Sequence, residues 1–215
     1  MRQVERDVVI RADDVEVAGT LALTESSRGV VLFAHGSGSS RFSPRNQFVA
    51  ARLRDEGFGT LLMDLLTESE ERIDARTAAL RFDIDFLARR VVAAIDWLAA
   101  RTETEGLAVG CFGASTGAAA ALVAAAQRPD RVGTVVSRGG RPDLAAAALP
   151  RVGAPTLLIV GGADEPVIEM NRSALAGLAS AELVIVPGAT HLFEEEGALE
   201  EVARLAAAWF VRFLT

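Results

Sequence analysis

"GCFGASTGAAAALVAAA", residues 110–126, sets one serine between two glycines where an apolar run gives way to an alanine-rich one. Ser115 stands in a G-x-S-x-G pattern running from Gly113 to Gly117. Two readings compete. In one, Ser115 is a nucleophile held on a sharp strand-to-helix turn. In the other it caps the helix that follows. A chain this rich in Gly, Ala and Ser can produce the pattern by chance, so its surroundings decide.

On either side, short apolar runs recur: GVVLFA (29–34), FGTLLM (58–63), GLAVGCF (106–112), VGTVV (132–136), PTLLIV (155–160) and ELVIVP (182–187). Continuous apolar runs of this length suit strands buried on both faces. Earlier, VERDVVI (4–10) and DVEVAGTLALT (14–24) alternate only in part and are broken at Asp13–Asp14. They predict an antiparallel hairpin with one face buried. Between the runs, Pro44 near the start and Gly57 just beyond the end predict a helix over 44–56. Leu80, Ile84, Leu87, Val91, Ile95 and Leu98, three or four apart, predict another over 76–101. Further helices are predicted over 115–127, 166–179 and 197–214. The alternation implies an α/β fold, a mostly parallel doubly wound sheet carrying an N-terminal antiparallel hairpin. With no linker or internal repeat, residues 1–215 read as a single domain.

Composition removes whole chemistries. All 22 basic residues are Arg, and the chain has no Lys and no Tyr. That excludes a lysine Schiff base, a Walker-type phosphate loop and the Tyr/Lys chemistry of short-chain dehydrogenases. A net charge of −7 argues against nucleic acid as a partner. No apolar run approaches the ~18–20 residues of a membrane span, and MRQVERDVVIRADD lacks the apolar stretch of a signal peptide. One cysteine, Cys111, forms no internal disulfide and reads as a core residue. Two histidines and one cysteine are too few for the usual zinc sets. The expectation is a cytoplasmic protein without metal or cofactor, of undefined oligomeric state.

In a doubly wound sheet, ligands bind beyond the carboxyl ends of the strands. There the sequence puts His35-Gly36-Ser37-Gly38-Ser39-Ser40, Asp64, Gly113 to Gly117, Ser137-Arg138-Gly139-Gly140-Arg141, Gly161-Gly162-Ala163-Asp164-Glu165 and Gly188-Ala189-Thr190-His191. A serine, an acid and a histidine thus each come just after a buried strand, in the chain order of a nucleophile-elbow hydrolase. Only two histidines are present, and His35 precedes the nucleophile. His191 is the candidate base, and His35 is expected to bond its own loop's backbone.

On these residues the chain resembles α/β hydrolases, most of all the dienelactone hydrolase-like branch, over nearly its whole length. The resemblance implies that Asp164, in a GGAD turn, is the acid, with Glu165 adjacent as the alternative. It also places the oxyanion hole in the His35–Ser40 loop. One backbone N–H donor is Thr116, after the nucleophile; the second is Ser37, with Gly38 as the alternative. One departure is plain. Dienelactone hydrolases proper carry a cysteine in the elbow, whereas this chain has Ser115. Relatives of the branch also occur fused to phosphoribosyltransferase domains.

The function read from this constellation is a serine hydrolase that cleaves small carboxylic esters or lactones through an acyl-enzyme. The alternatives are a slow or non-catalytic binding or regulatory protein on the same fold, and an acyltransferase or perhydrolase. Only residues 137–154 separate the sixth predicted strand, counting the hairpin's two, from the seventh, too few for a large cap domain, which predicts an open site favouring small acyl groups. Arg41, Arg45, Arg138 and Arg141 lie in loops at the catalytic edge. Arg138, Arg41 and Arg141 are the candidate substrate-binding residues, and Arg138 leads because it directly follows a strand end. They suggest an anionic substrate or leaving group, since an Arg fork grips a carboxylate or phosphate at two points.

Overall fold

The structure is a computed structural model and describes residues 3–214. One eight-stranded sheet organises it, in the order β1-β2-β4-β3-β5-β6-β7-β8. β1 (Gln3–Ala12) and β2 (Val15–Thr24) form the hairpin that the break at Asp13–Asp14 predicts. β2 then pairs antiparallel with β4 (Gly59–Met63). From there β3 (Val30–Ala34), β5 (Val109–Ala114), β6 (Val132–Arg138), β7 (Thr156–Gly161) and β8 (Ala181–Val186) run parallel. β3, β4, β5 and β7 are buried at every position, as strands covered on both faces must be.

The helices divide between the faces. α1 (Pro44–Asp55) and α6 (Ala198–Phe213) cover one, packing on Phe33, Phe112, Val136 and Ile159. α3 (Ile84–Ala99) and α4 (Thr116–Gln127) cover the other, over Leu32, Cys111 and Val135. α5 (Glu165–Leu175) flanks β7 and β8. Alanine does much of this packing. Residues 116–125 of α4 are all buried, and their small side chains let the helix lie close on the sheet. Cys111 is buried there too, and burial pushes its thiol up to about 12, so it is a core residue and not a second thiolate.

Two elements differ from the sequence expectation. The helix predicted over 76–101 begins only at Ile84, where the Asp83 side chain caps it by accepting the Phe86 N–H. Ahead of it lies an unforeseen helix, α2 (Glu68–Thr77), which opens with a capping box between Thr67 and Glu70. α2 is pinned from both ends: buried Arg90 of α3 reaches Glu70 and the Ala12 carbonyl. Buried Asp74 accepts the Leu80 and Arg81 N–H groups and the Arg81 side chain. Between β6 and β7 there are only two short 3-10 turns, Pro142–Ala145 and Leu149–Arg151, and no cap domain. No helix among the described residues is long and apolar enough to cross a membrane.

Candidate active site

The sequence around Ser115 leaves the chain almost no choice of path. β5 ends at Ala114 and α4 begins at Thr116, so one residue makes the turn. Ser115 makes it with φ 51 and ψ −120, a left-handed conformation that a serine adopts only under constraint. Its N–H donates to the Arg138 carbonyl (3.2 Å), and its carbonyl accepts from the N–H groups of Ala118 (3.1 Å) and Arg141 (3.2 Å). The Ser115 side chain makes no capping bond, so helix capping is not its role. The flanking glycines explain how so tight a turn fits. A Cβ on Gly113 would lie 2.3 Å from the Ala118 Cα, and one on Gly117 would lie 2.3 Å from the Ala34 and His35 carbonyl oxygens.

His191 follows β8 in a loop, and Asp164 sits between β7 and α5. The Asp164 carboxylate and His191 Nδ1 lie 2.7 Å apart, which fixes Nδ1 as the protonated nitrogen and frees Nε2. Glu165, the alternative acid, is already the first residue of α5. The ring lies against Gly139, where an added Cβ would come within 3.4 Å of Cε1. Residues 138–141 therefore brace both sides of the site: they bond Ser115 front and back and carry His191 on Gly139. Asn171 of α5 anchors that brace, its buried side-chain amide donating to the Gly140 carbonyl (3.0 Å). Sequence reading passed over Asn171, whose neighbourhood no local motif announces.

On the other side lies the loop after β3. His35 is 5% exposed. Its Nδ1–H donates to the Gly36 carbonyl (2.9 Å), and its Nε2 accepts the Leu65 N–H (3.0 Å). A protonated ring could not accept that second bond. Burial lowers the pKa of His35 below the usual histidine value, against the Gly36 bond and the nearby Asp64 carboxylate, which raise it. The ring is thus a neutral strut of the loop, as expected. Past it, the Ser37 hydroxyl meets the Thr116 hydroxyl (3.0 Å), which ties the loop to the first residue of α4. Thr116 opens its helix, so its N–H has no helical acceptor and is available to a ligand. The Ser37 N–H also has no acceptor among the described residues.

A cavity of about 540 Å³ starts at these two residues. Its apolar wall is Leu65, Leu66, Leu87 and Phe42, and α2 lines it with Ala75 and Glu71. α2, inserted after β4, therefore covers part of a site that the sequence presents as open.

The four arginines of this edge are not equivalent. Arg41 pairs with Asp64, through its backbone N–H (2.8 Å) and its guanidinium. Arg45 pairs with Glu194 (3.0 Å). Arg141 grips Asp143 with two bonds, of 2.9 and 2.7 Å. Arg138 has no ion pair among the described residues.

An elbow serine and a carboxylate–imidazole pair at the carboxyl edge of a sheet in this strand order define the α/β-hydrolase fold. Residues 17–214 match the dienelactone hydrolase family, and the chain belongs to it. The crystal structure of a dienelactone hydrolase from Anabaena variabilis ATCC 29413 is similar throughout, with a TM-score of 0.97 and 57% identity over 100% of both chains. Two Mycobacterium tuberculosis proteins, from strains CDC 1551 and H37Rv, carry a provisional phosphoribosyl transferase name. Each is 55% identical over 211 residues, which is 98% of this chain but 47% of theirs. The chain thus spans about half the length of these curated relatives. A dienelactone hydrolase-like promiscuous phosphotriesterase from metagenomic libraries shares the fold at 17% identity, with a TM-score of 0.82 over 99% of each chain.

Proposed function

We propose that the protein is a serine hydrolase of small carboxylic esters or lactones, with Ser115, His191 and Asp164 as its catalytic triad. The observation that carries this reading is the backbone of Ser115. A serine at φ 51 costs on the order of 1–3 kcal/mol, and its three backbone hydrogen bonds, with residues 118, 138 and 141, keep it there. The strain supports a serine held for chemistry at the carboxyl end of β5, the edge of the sheet at which Asp164 and His191 also lie.

In this mechanism His191 Nε2 takes the proton of Ser115 Oγ as the oxygen attacks the ester carbonyl. Negative charge develops on the carbonyl oxygen and is met by the N–H groups of Thr116 and Ser37. The tetrahedral intermediate collapses, the bond to the leaving oxygen breaks, and His191 hands it the proton. A water then repeats the sequence on the acyl-enzyme. It gives its proton to His191, which returns one to Ser115 Oγ as the acid departs. Asp164 stays ionised and stabilises the imidazolium. The phosphoribosyl name belongs to relatives twice as long, and none of the residues above requires phosphoribosyl chemistry.

A fluorophosphonate probe followed by mass mapping tests the assignment. The expected result is one fast adduct, on Ser115, that depends on His191. Labelling of equal rate in Ser115→Ala overturns it.

A further inference from the structure

Ser115 is held by two peptide units, and each of them is held in turn from its far side. The unit joining Arg138 to Gly139 accepts the Ser115 N–H on its carbonyl (3.2 Å), while its own N–H donates to the Ile159 carbonyl of β7 (2.8 Å). The unit joining Gly140 to Arg141 donates its N–H to the Ser115 carbonyl (3.2 Å) and accepts the Asn171 side-chain amide on its own carbonyl (3.0 Å). The first anchor is main chain of the neighbouring strand, which any residue at 159 would supply. The second is a side chain, and it holds the less determined unit. Gly139, at φ 51, and Gly140 are successive glycines, and such a pair has wide backbone freedom.

Asn171 is a costly way to fill its place in α5. It is 0% exposed. Its amide also donates to the Val167 carbonyl one turn back (2.8 Å), but its Oδ1 is buried with no hydrogen-bond partner among the described residues. A buried acceptor left unpaired costs stability, and a leucine of similar shape would carry no such cost. What the position gains from asparagine is a donor aimed at Gly140.

The same helix supplies the acid. Asp164 is the N-cap residue of α5: its carbonyl accepts the Ile168 N–H (3.0 Å), while its carboxylate bonds His191 instead of capping the helix. Asn171 lies about two turns further on. α5 therefore meets the site twice, through Asp164 at the imidazole and through Asn171 at the peptide behind Ser115.

We propose that Asn171 is a positioning residue of the reaction, which holds the Gly140–Arg141 peptide so that Ser115 stays in its strained turn and in register with the Asp164–His191 pair on the same helix. This inference rests on the serine hydrolase reading. Asn171 itself touches no reacting atom. Without its donor the glycine pair is free to turn the peptide, and the Arg141 N–H leaves the Ser115 carbonyl. The serine then relaxes from φ 51, taking with it Oγ and the adjoining Thr116 N–H. Bond making slows, whereas the cavity wall of Leu65, Leu66 and Leu87, which the brace does not touch, still receives the acyl group.

Three variants separate positioning from mere support of the helix. Asn171→Leu keeps the shape and removes the donor. Asn171→Ser can still bond the Val167 carbonyl but is too short to reach Gly140. Ile168→Ala, a buried neighbour packed with Val160 and Val167, weakens α5 by leaving a cavity and has no bond to the brace. Each is compared with wild type in kcat and KM on p-nitrophenyl acetate, in the rate at which a fluorophosphonate labels Ser115, in Arg141 amide hydrogen exchange, and in Tm. Both Asn171 variants are expected to lose roughly ten- to a hundredfold in kcat and in labelling rate, the effect of a small misplacement of the attacking atom. Their KM should stay within about twofold of wild type, and their Arg141 amide should exchange faster. Ile168→Ala should keep all of these near wild type at a comparable loss of Tm. An Asn171 variant with unchanged kcat overturns the proposal, as does a raised KM at constant kcat. An equal loss in Ile168→Ala, or unchanged Arg141 exchange in the Asn171 variants, overturns it too. Should Asn171→Leu fail to fold, Asn171→Ser decides by the same criteria. A wild type that does not label overturns the serine hydrolase reading, while the Arg141 exchange comparison, which needs no turnover, decides the brace by itself.

Discussion

Both histidines of this chain follow the carboxyl end of a strand, and they are used in opposite ways. His35, after β3, has both ring nitrogens engaged by backbone, from Gly36 and Leu65, and is almost fully buried. His191, after β8, gives one nitrogen to a carboxylate, and its side chain is 38% exposed. A ring whose two nitrogens are held by peptide groups cannot shuttle a proton without breaking a bond that folding needs. A ring held at Nδ1 alone, by an acid, can. The same residue type at equivalent places in the sheet thus serves once as a strut and once as a candidate base, and the partners decide which.

The widest separation between the two regions is expected in activity. His191→Gln removes the proton carrier and should lower kcat/KM by roughly 10⁵ or more, while Tm moves little because the side chain is partly exposed. Asp164→Asn leaves the ring in place but favours the wrong tautomer, for a loss on the order of 10⁴. Initial rates on a neutral aryl ester together with thermal melts check both. A loss nearer tenfold for Asp164→Asn would transfer the acid's role to Glu165.

Stability should show the reverse. His35→Ala leaves the Leu65 N–H without an acceptor and opens a hole beneath the oxyanion loop. The cost is about 2–4 kcal/mol, read from chemical denaturation. Activity at low temperature should fall far less than in His191→Gln, through a loosened Ser37 rather than a lost proton carrier. A His35→Ala protein as stable as wild type would break the contrast.

Much of this arrangement is legible in the sequence because the physics is local. Strands buried on both faces must be apolar throughout, so β3 to β7 announce themselves. A serine turning at φ 51 needs glycines two residues away on either side, so the elbow does too. The candidate base follows from there being only two histidines, and the candidate acid from the resemblance that the GGAD turn carries. α2 is a different case. Of its ten residues only Asp74 is buried, so it has no apolar stripe to find, and the one local signal was the Thr67–Glu70 capping box. The merged helix over 76–101 has the same origin, since Leu80 sits in register with α3 by accident of spacing while Asp83 sets the true start. The pairing state of the arginines is not legible at all. Arg45 meets Glu194 across 149 positions and Arg41 meets Asp64 across 23. Only the folded chain shows that Arg138 is left over.

The smallest expected effect sharpens the comparison most finely, because it isolates the charge state of His35. Its pKa is lowered in the folded protein by burial, whereas in the unfolded chain it returns to about 6.5. Between those two values the unfolded state binds a proton that the folded state refuses, so acid favours unfolding. The stability held by neutral His35 is therefore complete above pH ~6.5 and is lost as pH falls from there toward the folded value, with a slope of at most ~1.4 kcal/mol per pH unit. His35→Gln removes this proton while its amide oxygen can still accept the Leu65 N–H. Wild type and His35→Gln carry the same His191 and the same carboxylates, so those titrations cancel in the difference. Denaturation midpoints at closely spaced pH values from 7.5 to 5 should find wild type more stable than the variant at the top of the range. That advantage should shrink as the solution is acidified. An advantage that stays constant over the whole range would mean that His35 titrates alike in both states, and that its burial does not set its charge.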